Sequence, residues 1–106
     1  IWTAEIVLAR KAVNPEIRLI CALPHPDIEK CWSTQWQTRY YAILQQADLV
    51  KEIRPAFSRA SYQIRNEWMV NHSARVIAIY NGSSGGTAKT IAYAERKGVE
   101  VRRYDA

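Results

Sequence analysis

A chain of 106 residues and 12.2 kDa is long enough for one domain but not for two. Hydrophobic residues at 48% and charged residues at 24% match an ordinary globule, and no apolar run approaches the length that crosses a bilayer. A net charge of +5, with Arg outnumbering Lys, permits attraction to phosphates, but the basic residues are scattered, as on a solvated face.

In chain order, residues 1–12 (IWTAEIVLARKA) are good helix formers, with Ala4, Val7, Leu8 and Ala12 on one side. Asn14-Pro15 ends that helix, because the residue before proline avoids the α region. IRLICAL at 17–23 reads as a short apolar strand that buries Cys21, and the proline-containing PHPDIEKCW reads as an irregular loop. Ser33 is placed to cap a helix through Gln46, with Trp36, Tyr40, Ile43 and Leu44 as its apolar stripe. LVKEI at 49–53 is a second strand. Ser61 is placed to cap a third helix, YQIRNEWMVNHS, with Ile64, Trp68 and Met69 facing in. RVIAIY at 75–80 is the most strand-like segment; NGSSGG, a helix starting near Thr87, Gly98 at its C′ position, and a last strand, VEVRRY, follow.

The order α-β-α-β-α-β-α-β predicts parallel crossovers. The expected fold is α/β: a Rossmann-like three-layer αβα arrangement with a mostly parallel sheet, one domain over 1–106. The chain opens inside a helix without an initiator Met, so the reading is of an N-terminally truncated fragment of a slightly longer domain. Two cysteines are too few for a disulfide scaffold, which fits a cytoplasmic setting.

Ligands of open parallel sheets bind beyond the carboxyl ends of the strands. NGSSGG lies at such an end and holds three of the four glycines. Glycines let a ligand approach the backbone closely. Ser83, Ser84 and Thr87 add hydroxyls, and the next helix adds unpaired N–H groups with partial positive charge. Together these residues form an anion cradle, to be weighed against a plain strand-to-helix turn with a capping Thr. A Walker loop is excluded, since its two glycine positions before Lys89 hold Ser83 and Ala88. The pattern G-x-G-x-x-G fails at Ser84 and Thr87. No paired Cys/His spacing supports a metal, and no G-x-S-x-G supports a serine nucleophile. Trp36 and Trp68 read as core; Trp2 and Trp32, at segment boundaries, are the candidates for stacking on a base.

Taken together, LICALPHP, the W-x4-Q-x-R-Y pattern from Trp32 to Tyr40, IRNEWMVNHS and AIYNGSSGGTAKTIAYAERKG resemble the YpsA-like branch of the SLOG superfamily, over essentially the whole chain. The same superfamily holds the LOG-type lysine decarboxylase-like proteins and the DNA-processing protein DprA/Smf. The resemblance implies a Rossmann-like sheet that holds a nucleotide or a nucleotide derivative. It places phosphate on Gly82, Ser83, Ser84, Gly85, Gly86 and Thr87, and brings Arg65 and Asn66 to the same crevice. There Arg65 would meet phosphate, against an alternative surface ion pair with Glu67, and Asn66 would fix a loop or a ribose hydroxyl.

Three departures shape what is expected. The family's opening strand and G-x-A-x-G-x-D segment do not precede the helix that begins IWTAE. Where LOG-type hydrolases resemble P-G-G-x-G-T-x-x-E, this chain carries Thr90 in place of the glutamate. Ala74 stands where the family often has Asp. The expectation is therefore a sensor or regulatory module for an ADP-ribose-like nucleotide, with no catalytic residues and no metal. The alternatives are a LOG-type phosphoribohydrolase, in which Glu67 or Glu95 replaces the missing carboxylate, and a DprA-like binder of single-stranded nucleic acid. An open sheet edge further predicts pairing with a second copy, and no membrane partner is expected.

Overall fold

Parallel strand pairing is the feature that fixes this architecture. The computed structural model describes all residues, 1–106, and alternates helix and strand throughout. Its elements are α1 (Trp2–Val13), β1 (Ile20–Leu23), α2 (Thr34–Gln46), β2 (Leu49–Glu52), α3 (Ser61–Asn71), β3 (Arg75–Tyr80), α4 (Gly86–Arg96) and β4 (Glu100–Asp105). The strands form two parallel pairs, β1 with β2 and β3 with β4. Each pair is joined by one helix, as a parallel crossover requires. This is the alternating α/β organisation of Rossmann-like proteins. The chain divides into two compact units, residues 1–57 and 58–106.

In the first unit, β1 and β2 pair from Ile20↔Leu49 to Leu23↔Glu52. β1 is shorter than 17–23 because Leu19 is drawn into another role. Its N–H donates to Asp48 Oδ2 at 2.8 Å, and its carbonyl accepts the Asp48 and Leu49 N–H groups. Asp48 Oδ1 also meets Lys11 Nζ at 2.6 Å, tying the end of α1 to the strand starts. Leu19, Leu23, Tyr40 and Ile43 form the small core. Trp36 and Leu44 of the expected stripe are half-buried, as is Cys21. No residue of α1 is fully buried, so its Ala4-Val7-Leu8 side is covered only in part. Ser33 occupies the N-cap position of α2, but its side chain makes no capping bond. The 24–32 loop is instead pinned from α2. Gln37 Nε2 donates to the Glu29 carbonyl at 2.9 Å, and the Tyr41 hydroxyl donates to Glu29 Oε2 at 2.7 Å.

In the second unit, β3 and β4 run in register from Arg75↔Glu100 to Tyr80↔Asp105. Val70, Ala78, Ile91 and Ala94 are buried between α3, α4 and β3. The inward side of α3 is rotated from expectation: Val70 is 1% exposed, whereas Met69 is 47% exposed. Trp68 is half-buried and stacks on His72 at 4.2 Å between ring centroids. Ser61 does not cap α3; Ala60 holds that position, and the Ser61 hydroxyl, fully buried inside the first turn, donates to the Ser58 carbonyl at 2.8 Å. The C-terminal end of α4 follows expectation. Gly98 has φ +74°, its N–H reaches the Glu95 carbonyl, and the Val99 N–H reaches the Ala94 carbonyl at 2.9 Å, a Schellman closure.

Candidate functional site

The glycine turn lies within the second unit, between the carboxyl end of β3 and the first turn of α4. Its shape begins with Asn81. The Asn81 Oδ1 accepts the Ser83 N–H at 3.0 Å and the Ser83 hydroxyl at 2.6 Å, bending the chain as it leaves the strand. Gly82 follows with φ +88°. Sequence reasoning passed over Asn81; the signal was the Asn-Gly-Ser order itself, in which a short amide side chain can bond two residues on.

Helix α4 starts one residue earlier than Thr87. Gly85 is its N-cap, at φ 143° and ψ −161°, and its carbonyl accepts the first helical bond, from Lys89 N–H at 3.1 Å. A capping Thr is thereby replaced by a capping glycine. The N–H groups of Gly86, Thr87 and Ala88 precede that first bond and have no partner within the helix. They project from the positive end of the helix dipole. The Thr90 hydroxyl donates back to the Gly86 carbonyl at 2.9 Å.

Gly85 and Gly86 are glycines for different reasons. The backbone angles of Gly85 belong to a region essentially reserved for glycine. Gly86 is ordinary helix, and a Cβ built on it meets no atom within 4 Å. Nothing in the protein requires the absence of a side chain at Gly86.

Two adjoining hollows meet at the turn. One, of about 210 Å³, is lined by Asn81, Ser83, Ser84, Gly85, Gly86 and Thr87 among others. The second, of about 350 Å³, lies between α3, β3 and α4, where Asn66, Thr87 and Thr90 meet the apolar side chains of Val70 and Ile91. Thr87 and Ile79 line both. Asn66 therefore shares a hollow with Thr87. Arg65 lines neither hollow. It is half-buried, its Nε donates to Asn66 Oδ1 at 2.7 Å, and its guanidinium lies 5.7 Å from the Tyr62 ring centroid. Burial pulls its pKa down.

The carboxylates considered as substitutes for Thr90 are engaged elsewhere. Glu95 pairs with Arg103, and Glu67 accepts Gln63 Nε2 at 3.2 Å. Trp2 and Trp32, the base-stacking candidates, line a hollow of the first unit with Trp36. No group of three or more His, Cys, Asp or Glu side chains is arranged to hold a metal ion.

With this geometry in place, comparison with known proteins decides the family. The model of the YspA SLOG family (YpsA) matches residues 1–106. The chain belongs to that family. Among its curated relatives is the uncharacterized SPbeta prophage-derived protein YoqJ of Bacillus subtilis, 32% identical over 90% of this chain and 61% of that protein. A UPF0398 protein of Bacillus cereus is 29% identical over 98% of the chain and 58% of its own length. A UPF0398 protein of Halalkalibacterium halodurans is 28% identical over 99% of the chain and 57% of its own length. The chain thus spans about three-fifths of the length of these SLOG relatives. No helix is long and apolar enough to cross a membrane.

Proposed function

We propose that this SLOG domain binds a nucleotide or nucleotide derivative of the ADP-ribose kind, and that it acts as a sensor or regulatory module rather than a catalyst. Phosphate would rest on residues 82–87 and accept the N–H groups at the start of α4. The observation that carries this reading is Gly86. Glycine loses more backbone freedom than alanine when it joins a helix, and here no neighbouring atom demands it. A ligand approaching the backbone closely supplies the demand. Thr90 supports binding over hydrolysis: its hydroxyl is turned to the Gly86 carbonyl and has no acid–base role near neutral pH.

The test is calorimetry of the full-length protein against a panel of nucleotides. Micromolar to low-millimolar binding is expected for at least one member, with a loss of tenfold or more in Gly86→Asp. The reading fails if no nucleotide binds, or if Gly86→Asp binds equally well. Release of free base from a nucleoside monophosphate would replace it with the hydrolase. Salt-dependent binding of single-stranded DNA without nucleotide binding would replace it with the nucleic-acid reading.

A further inference from the structure

Five consecutive residues of β3, Arg75 to Ile79, line the hollow of about 350 Å³ beside α3. Side chains of a strand alternate between two faces, so an unbroken run borders one hollow through its backbone edge. That edge is unpaired, because β3 is bonded to β4 alone. The free edge of β4 is blunted by charge, with Glu100, Arg102, Arg103 and Asp105 along its length. β3 lacks that protection. From Val76 to Tyr80 it contains no charge and no proline. Apolar side chains also flank it. Exposed Met69 lines the hollow on the α3 side. On the face turned away from buried Ala78, Ile77 is 67% exposed and Ile79 is 60% exposed.

An open edge of this kind accepts another strand through main-chain hydrogen bonds. The only charged side chain in the lining, Arg75, is already compensated by Glu100 at 2.8 Å, so the matching strand is uncharged and apolar. The Val76–Tyr80 run of β3 itself meets that description. Two copies can pair antiparallel about a twofold axis, each presenting the same surface to the other. Opposed side chains must lie on the same face of the joined sheet, which restricts the register. Centred on Ala78, the pairing sets Ile77 against Ile79, Val76 against Tyr80 and Ala78 against its own copy, and it leaves the two arginines apart beyond the apolar run. Centred on Ile77, it sets each Arg75 against an Ile79. Apolar cross-strand pairs favour the first register. We infer that β3 is an interface between two copies of this chain, paired antiparallel from Val76 to Tyr80 with Ala78 on the axis. The interface is independent of the phosphate reading of the turn.

The experiment is sedimentation of the full-length protein from about 1 to 100 μM, where a monomer–dimer equilibrium is expected. Ile79→Lys places a charge in each Ile77–Ile79 pair, as natural edges do to refuse partners. It should weaken the dimer tenfold or more, and at an exposed position it should leave the circular dichroism spectrum unchanged. The register is read by oxidation in a Cys31→Ser background, which removes the exposed native thiol. A mixture of Ile77→Cys and Ile79→Cys proteins should form a disulfide-linked dimer, because opposed strand residues lie within disulfide reach, and neither variant should do so alone. Linking within Ile77→Cys alone would overturn the register. A dimer unaffected by Ile79→Lys would place the contact elsewhere and overturn the interface. Sedimentation as a monomer throughout would also overturn it, and hydrogen exchange would then name the occupant: protected β3 amides mean that the same chain covers the edge, and unprotected ones that solvent does.

Discussion

At the scale of single residues, neighbouring glycines make opposite predictions. Gly85 adopts φ 143°, so Gly85→Ala should destabilise the fold by roughly 1–3 kcal/mol, read as a lowered denaturant midpoint. Gly86 is helical with open space around it, so Gly86→Ala should raise stability by about 0.4–1 kcal/mol while hindering close approach of the proposed phosphate. Gly86→Asp separates the two effects further. An aspartate in the first turn of a helix stabilises it by roughly 0.3–1 kcal/mol through the dipole, yet it sets a negative charge where the proposed phosphate would rest. Retained or raised thermal stability together with lost binding is the expected outcome. Lower stability with binding intact would contradict the assignment of both glycines. The glycine turn was legible in the sequence because its chemistry is local: glycine, hydroxyl and helix start follow one another along the chain. Arg65 was not. Its place behind Asn66 depends on how one side chain folds over its neighbour, which residue type alone does not specify.

At the scale of elements, packing supplies what propensity leaves open. Val70→Ala should cost about 2 kcal/mol, because a side chain 1% exposed loses two methyl groups' worth of burial. Met69→Ala, at a position 47% exposed, should cost clearly less. Denaturant titration of both variants checks the orientation of α3. Sequence periodicity identified α3 as a helix but set its inward stripe at Ile64, Trp68 and Met69, because Met and Val are both apolar and adjacent. Only the neighbours, α4 and β3, decide which of them is enclosed. Ser33 and Ser61 show a similar limit. Each serine stands where a cap is commonly found, but Ser33 makes no capping bond and Ser61 sits inside the first turn, bonded to the Ser58 carbonyl. By contrast, the glycine closing α4 was readable in advance, since φ +74° at C′ is a demand that few other residues meet.

At the scale of the whole molecule, three carboxylates link stability to acid. Glu5 is held below its usual pKa by its hydrogen bond to Arg39, Asp48 by Lys11 and the Leu19 N–H, and Glu100 by Arg75 and Arg102. Each has a folded pKa depressed below its unfolded value, so its contribution is fully present above that unfolded value, 4.5 for Glu5 and Glu100 and 3.8 for Asp48, and is lost as pH falls through the folded value. Stability measured by denaturant should be flat in this respect from pH 7 to about 5 and fall below about 4. Asp48→Asn should lower the neutral plateau and flatten the acid limb. An acid limb unchanged in that variant would show that the Lys11–Asp48–Leu19 tie contributes nothing to the pH dependence. Because these pairs are exposed, raised salt should weaken them.

The bend at Asn81 also gives the turn a chemical lifetime. An asparagine followed by glycine is the peptide sequence most open to spontaneous deamidation, since the small neighbour lets its backbone nitrogen attack the side-chain amide. Here that step is Asn81-Gly82, in an exposed segment. Conversion would leave an aspartate or isoaspartate at the lip of the proposed phosphate cradle, adding a negative charge where the chain was neutral. Under the proposed function, ageing alone would weaken ligand binding, in step with a conversion readable by mass spectrometry. Freshly purified protein and stored protein would then differ in binding because ammonia has left and water has been added at one residue of the bend that shapes the turn.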